Sequence, residues 1–454
     1  MSVELAYVIF LMAALLVFSK LRAETAVLIV FLGGWLCLPV GHYAAETSQA
    51  AFAYWIVGAA LPSDLLLTKA WVAPVAALLG ALGFDRHRLL RWRPGAADVT
   101  MALWCSWPLC QVLFLGSSSP SPKPPSWLSS AYLFGTWGAT WVLGRVYFSN
   151  AASQGLLIQG LMWSVVACLP IAAFEGITGQ SIYGFIFEPH PFRFDGSERY
   201  LGFRPLGFFE NGNQYGLWVS LCALAAVWRA LSLQSGRESG RFVSVAKTLA
   251  AVGVTVAVAA QSVGALLLAI LGGAFLSVGR VIRLRFLVVC LAALMLITSL
   301  IYVSGVIPIT QIGKGTAFGQ SVVNGFRAVG RGSFTWRISQ DQKLLPEIKA
   351  HILVGTGQWD WWRSKGIRPW GLAMLLLGQF GAIGLSLCFG SVLWPTLREA
   401  WRVPRASGWQ TSAMPLLLAV IVGLTMLDAL MNSFIFFPAV LIAGSLAERR
   451  PIPV

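Results

Sequence analysis

The chain has 454 residues, of which 57% are hydrophobic and only 11% charged, with a mean hydropathy of +0.72; so little polar surface excludes a soluble fold of two or three domains. The formal charge of +15 reads as a membrane-orientation signal and an attraction to anionic headgroups, and implies no nucleic acid. Seven cysteines, Cys37, Cys105, Cys110, Cys168, Cys222, Cys290 and Cys388, all fall in or beside apolar blocks, a pattern of neither a disulfide framework nor a metal site.

In chain order, apolar blocks near residues 2–19, 25–40, 65–82, 98–116, 127–148, 153–174, 213–232, 244–260, 262–279, 284–305, 370–391, 411–427 and 430–446 each approach the roughly 20 residues that cross a bilayer as a helix. They are apolar on every side, so the alternating strands of a closed barrel are ruled out. The expected fold is an all-α polytopic membrane protein of about 12–13 transmembrane helices. Residues 2–19 lack a basic leader region and a small-residue cleavage site, which predicts a retained first span. Residues 48–63 are apolar but short, and are expected to be re-entrant or interfacial.

Lys and Arg cluster at 20–22, 85–93, 229–241, 280–285, 397–405 and 449–450, all on one side of this topology, which the positive-inside rule makes cytoplasmic. The chain then divides into N-terminal spans (1–174), an outward loop (175–212), central spans (213–305), a larger outward loop (306–369) and C-terminal spans (370–454). The larger loop is itself basic, with Arg331, Arg337 and Arg368 among nine Lys and Arg against Asp341, Glu347 and Asp360. Basic residues on the outward side run against the usual bias, and an anionic ligand at the membrane surface is the simplest reason for them.

Two segments carry the chemistry. In FRPLGFFENGNQYGLW (203–218) Arg204 stands where a planar guanidinium can grip phosphate oxygens. Gly207, Gly212 and Gly216 allow close backbone approach, and Asn211 and Asn213 can cap the following helix. The same residue types would also make an ordinary loop-to-helix junction with a snorkelling arginine. In TWRISQDQKLLPEIKAHILVGTGQWDWW (335–362) an amphipathic helix carries Arg337 eighteen residues before Gly355 of a Gly-Thr-Gly turn; a solvated helix charge is the bland alternative.

The spacing of Arg204, Gly207, Phe209 and Asn213 resembles the R-x-x-G-x-F-x-x-P-N signature of the O-antigen ligase and O-antigen polymerase superfamily, with Gly212 in the proline's place. Arg337 followed by Gly355-Thr356-Gly357 is similar to its second signature, GQFGAIGLSL (378–387) to the start of its next span, and QSVGALLLAILGG (261–273) to its S-R-G-A-L-L span with Val263 for Arg. The resemblance covers residues 160 to 390 and implies a GT-C-like membrane glycosyltransferase in the bacterial inner membrane, its active site facing the periplasm and its two long periplasmic loops containing short helices. Such enzymes pass a glycan from an undecaprenyl-diphosphate donor to a glycan, lipid or protein acceptor, with no metal or cofactor. By position Arg204 and Arg337 would bind the diphosphate and stabilise its developing charge.

One departure shifts the expectation. The ligases' catalytic histidine falls here on Trp370, eleven residues before Gly381, and an indole cannot replace imidazole as a base. A polymerase of exopolysaccharide or O-antigen units is therefore favoured over a ligase or protein O-oligosaccharyltransferase. Glu210, six residues from Arg204, is the first candidate for a general base, ahead of Asp341 and Asp360; a solvated acid or a partner of Arg204 would read the same. Arg193, Arg199, Asn213, Arg331, Asp341 and Arg368 are expected to line the substrate-binding surface. His351 is expected to be a surface or packing residue. Lys69 is expected to snorkel at a span end or meet a lipid phosphate. A transporter or flippase for lipid-linked sugars would also present basic residues to a diphosphate, but no internal repeat is visible.

Overall fold

A segment that is apolar on every side can satisfy its backbone in lipid only as a helix, and the computed structural model is built almost wholly of such helices. It describes residues 1–40, 67–115, 126–187, 198–199, 201–234, 240–278, 332–358, 361–362, 365–367, 369–402, 409–432, 434 and 437–447, with isolated positions between 289 and 325. The helices are α1 (Val3–Lys20), α2 (Ala23–Cys37), α3 (Lys69–Phe84), α4 (Arg86–Leu90), α5 (Ala96–Leu115), α6 (Ser126–Leu133), α7 (Ala139–Tyr147), α8 (Ala151–Thr178), α9 (Ile182–Ile186), α10 (Gly212–Gln234), α11 (Gly240–Ala259), α12 (Val263–Val278), α13 (Gly332–Ala350), α14 (Leu372–Arg402), α15 (Trp409–Ala429) and α16 (Phe437–Leu446). A π-turn, Phe134–Gly138, joins α6 to α7. A two-residue ribbon pairs Glu198–Arg199 with Gly202–Phe203.

Six of these helices, α1, α5, α8, α10, α11 and α14, are long and apolar enough to cross a membrane, and five shorter apolar helices stand among them. The chain is an all-α polytopic membrane protein. The expected spans coincide with described helices at twelve of the thirteen places; residues 48–63 and most of 284–305 and of 306–331 lie outside the described residues. The main differences are in length: the helix expected at 370–391 runs on to Arg402, and that expected at 430–446 begins only at Phe437.

The helices pack through small residues, as they must where lipid supplies no hydrophobic drive between them. Gly144 of α7 and Gly444 of α16 let the two backbones meet, since a Cβ on either would strike the main chain of the other, at Leu441 and Trp141 respectively. One end of the bundle is tied by ion pairs: Arg88 with Glu24 at 2.8 Å, and the buried Arg145 with Asp98 at 3.4 Å. The segment that carries Arg204 lies at the other end.

α14 is a broken helix. Gly381, with φ 69° and ψ −177°, interrupts it, and the freed backbone groups are taken up by the Gly-Thr-Gly turn that follows α13. Thr356 and Gly357 donate to the carbonyls of Gly378 and Gln379, while Ala382 and Ile383 donate to those of Ile352 and Leu353, all at 2.7–3.2 Å. The Gln111 side chain of α5 donates to Val354 O and Gln379 O, and Trp107 to Phe380 O. Two motifs that stand apart in the sequence are therefore one structural splice. Non-helical backbone is tolerated in a bundle because partners such as these satisfy it.

Candidate functional site

The segment leading into α10 is fixed before any ligand enters. Glu175, fully buried in the last turn of α8, accepts backbone hydrogen bonds from Leu206 and Gly207, both at 2.7 Å, and from Ile182 at 2.9 Å. These are charge-assisted bonds and stronger than neutral ones. From the other side Gln261, itself in a left-handed conformation at φ 51°, accepts from Leu201 N and donates to Gly202 O and Phe203 O. Asn211 caps α10, its Oδ1 accepting from the backbone of Asn213 and Gln214 at 3.0 Å.

Held in this way, Arg204 lies across the start of α10. Its Nη2 donates to Asn213 Oδ1 at 2.9 Å and its Nε to Ala260 O at 3.3 Å. Gly212 makes the arrangement possible: a Cβ there would stand 2.8 Å from Arg204 Cδ and nearer still to the guanidinium. Gly212→Ala is expected to keep the fold, because the arginine is flexible, but to displace the guanidinium and lower site activity about tenfold. An unchanged unfolding midpoint together with that loss is the measurement to make. A proline at 212 would bring the same Cβ, so glycine there is bound up with this position of Arg204.

Arg337, in α13, reaches the same place from a different part of the chain. Its Nη1 donates to Asn432 Oδ1 at 2.8 Å and to Met431 O at 3.3 Å. Asn432 in turn accepts from Asn213 Nδ2 at 3.5 Å, and its own Nδ2 donates to Asp428 at 2.8 Å. Arg204, Asn213, Asn432 and Arg337 thus form one chain of hydrogen bonds, with both guanidinium groups half-buried at its ends. The Arg337 guanidinium also stands 5.2 Å from the ring centroid of Trp370, an attractive cation–π distance. Trp370 therefore packs on the second arginine.

Two of the three candidate carboxylates, Glu210 and Asp341, are buried. Asp341, 2% exposed, accepts from Trp370 N at 2.7 Å and Gly371 N at 3.3 Å and so holds the start of α14. Glu210 is 1% exposed and makes no ion pair with Arg204. Burial pushes its carboxyl up to about 8, while the Lys69 ammonium and the Gln214 side chain pull it back. Gln214 lies against it, yet neither carboxylate oxygen completes a hydrogen bond among the described residues. A carboxyl raised in this way holds its proton more firmly than a solvated one, and the facing Lys69 ammonium works in the opposite direction.

Arg193, Arg331 and Arg368 lie outside the described residues, as does Asp360, and only the backbone of Arg199 is described, in the short ribbon. His351 is exposed just beyond α13, as expected. Lys69 corrects its expectation: at 1% exposure it neither snorkels nor faces lipid. Sequence reasoning missed Glu175, Gln261, Asn432 and the stacking of Trp370. Each acts on a partner distant in the chain, and the only local signal was a charged or amide residue at the end of an apolar block. Comparison with protein-family models, curated proteins and solved structures finds no match.

Proposed function

We propose that the chain is a GT-C-like membrane glycosyltransferase that transfers or polymerises undecaprenyl-diphosphate-linked glycan units at the periplasmic face of the bacterial inner membrane, with 12–13 spans and two long periplasmic loops. The observation that carries this reading is the meeting of Arg204 and Arg337, from segments more than a hundred residues apart, on one pair of asparagines. Two cations held on one chain of hydrogen bonds repel, and such an arrangement is useful where a dianionic group binds to both. A lipid diphosphate is such a group, and its charge grows as the glycosidic bond to the sugar breaks. Arg204 and Arg337 bind and stabilise the departing diphosphate, and the asparagine amides orient the two guanidinium planes.

The absence of an imidazole at Trp370 favours a polymerase of exopolysaccharide or O-antigen units over an O-antigen ligase or protein O-oligosaccharyltransferase. The break at Gly381 favours a second reading, a transporter or flippase for lipid-linked sugars, because broken helices line transport sites. Here, however, the carbonyls freed at the break are occupied by the Gly-Thr-Gly turn and by Gln111, which leaves them closed to a cargo. Incubation of the purified protein with lipid-linked repeat units separates the readings. A ladder of longer glycans is the polymerase outcome; a single transfer to a lipid or protein acceptor is the ligase outcome. Unaltered substrate moved between leaflets would overturn the enzymatic reading.

A further inference from the structure

A lysine buried in an apolar bundle needs a reason, because taking an ammonium out of water is costly unless its donors and charge are answered. Lys69, the first residue of α3, is answered from two directions. Its Nζ donates to Trp35 O at 3.1 Å, a carbonyl in the last turn of α2, and to Phe208 O at 2.6 Å, in the segment that carries Arg204. It stands 4.8 Å from the Trp35 ring centroid and 4.5 Å from that of Phe209. The carbonyls of a last helical turn lack intrahelical donors and form the negative end of the helix dipole, and aromatic faces attract cations most when both are desolvated. Glu210, two residues beyond Phe208, lies near enough to act on the ammonium electrostatically.

We propose that Lys69 is a positioning residue for the donor site, its ammonium serving as an internal cation that ties the Arg204 segment to the end of α2. Glu175 holds that segment at residues 206 and 207, and Gln261 at 201 to 203. Lys69 supplies the third anchor, at 208, from the start of α3 and the end of α2. An apolar side chain of similar length would leave the Phe208 carbonyl without this donor. The ammonium is explained by what it holds: a loop backbone whose carbonyl would otherwise face an apolar interior. The consequence for catalysis rests on the donor reading above; the clamp itself does not.

The test uses the full chain in detergent and two variants, Lys69→Met, which keeps the length and loses the donors, and Lys69→Gln, which keeps one amide donor and loses the charge. Backbone hydrogen exchange is followed along the chain, and affinity is measured for geranylgeranyl diphosphate as a short lipid diphosphate. Exchange in residues 201–213 is expected to rise about tenfold with α1, α5 and α8 unchanged, and affinity to fall about tenfold. If Lys69→Met does not fold, Lys69→Met with Glu210→Gln removes both ionisable groups, and the same local loosening is expected there. Wild-type exchange in 201–213, or an equal rise throughout the bundle, would overturn the proposal. Should the unmodified protein fail to bind the diphosphate while 201–213 still loosens in the variants, the donor reading falls and the clamp stands.

Discussion

Replacing Arg204 or Arg337 by alanine is expected to reduce the proposed glycan transfer by about a hundredfold or more, the scale on which a preorganised charge stabiliser contributes to catalysis. Both variants should fold, because each guanidinium is half-buried and its partners include main-chain carbonyls and asparagine amides that water can reach once the side chain is gone. The two losses should not add. Arg204 and Arg337 are joined through Asn213 and Asn432, so removing one releases the asparagine that orients the other, and residues acting as a unit give strongly non-additive effects. Arg337→Lys should recover little. An ammonium would keep the charge but not the planar fork that bonds Asn432 while offering donors to phosphate. Single-turnover transfer with lipid-linked repeat units, alongside the unfolding midpoint of each variant, is the measurement that checks this.

The second large effect is structural. Gly381→Ala should deprive the protein of its folded form, because φ 69° with ψ −177° lies in a region that essentially only glycine occupies. The new Cβ would also lie 2.5 Å from the Val354 carbonyl carbon and closer to the backbone of Leu353. Neither neighbour can yield without opening the splice between α14 and the Gly-Thr-Gly turn. A cost above about 3 kcal/mol follows from strain and overpacking together. Gly390→Ala, later in the same helix with nothing within 4 Å of the added Cβ, is the control and should be neutral or slightly stabilising. Comparing the yield and unfolding midpoint of the two variants isolates the break as the cause.

The helices were legible because a membrane permits few alternatives: blocks such as 2–19 and 157–174 are apolar on all sides, and only a helix lets such a block close its own hydrogen bonds. The cap at Asn211 and the glycines of the 203–218 segment were legible for the same kind of local reason, since capping and close approach are properties of a few consecutive residues. The segments bearing Arg204 and Arg337 could be picked out from spacing, but their meeting could not, because it depends on Asn432, which no motif marks. Glu175 and Lys69 were hidden by their settings at the ends of apolar blocks. There a charged side chain ordinarily reaches for water, whereas these two turn inward to bind the backbone of another segment. That Asp341 holds the start of α14 and that Glu210 is enclosed could not be read from their sequence neighbours, since both depend on other segments. The splice at Gly381 was invisible as a unit, since each half resembles a plain glycine turn until the two are brought together.

The most direct test of the account is a structure of the protein with undecaprenyl diphosphate bound. The account predicts one diphosphate with the guanidinium groups of Arg204 and Arg337 both within hydrogen-bond distance of its oxygens, and with Asn213 and Asn432 still beside them. A diphosphate seated against only one of the two arginines, or at the opposite end of the bundle near Arg88 and Arg145, would contradict it.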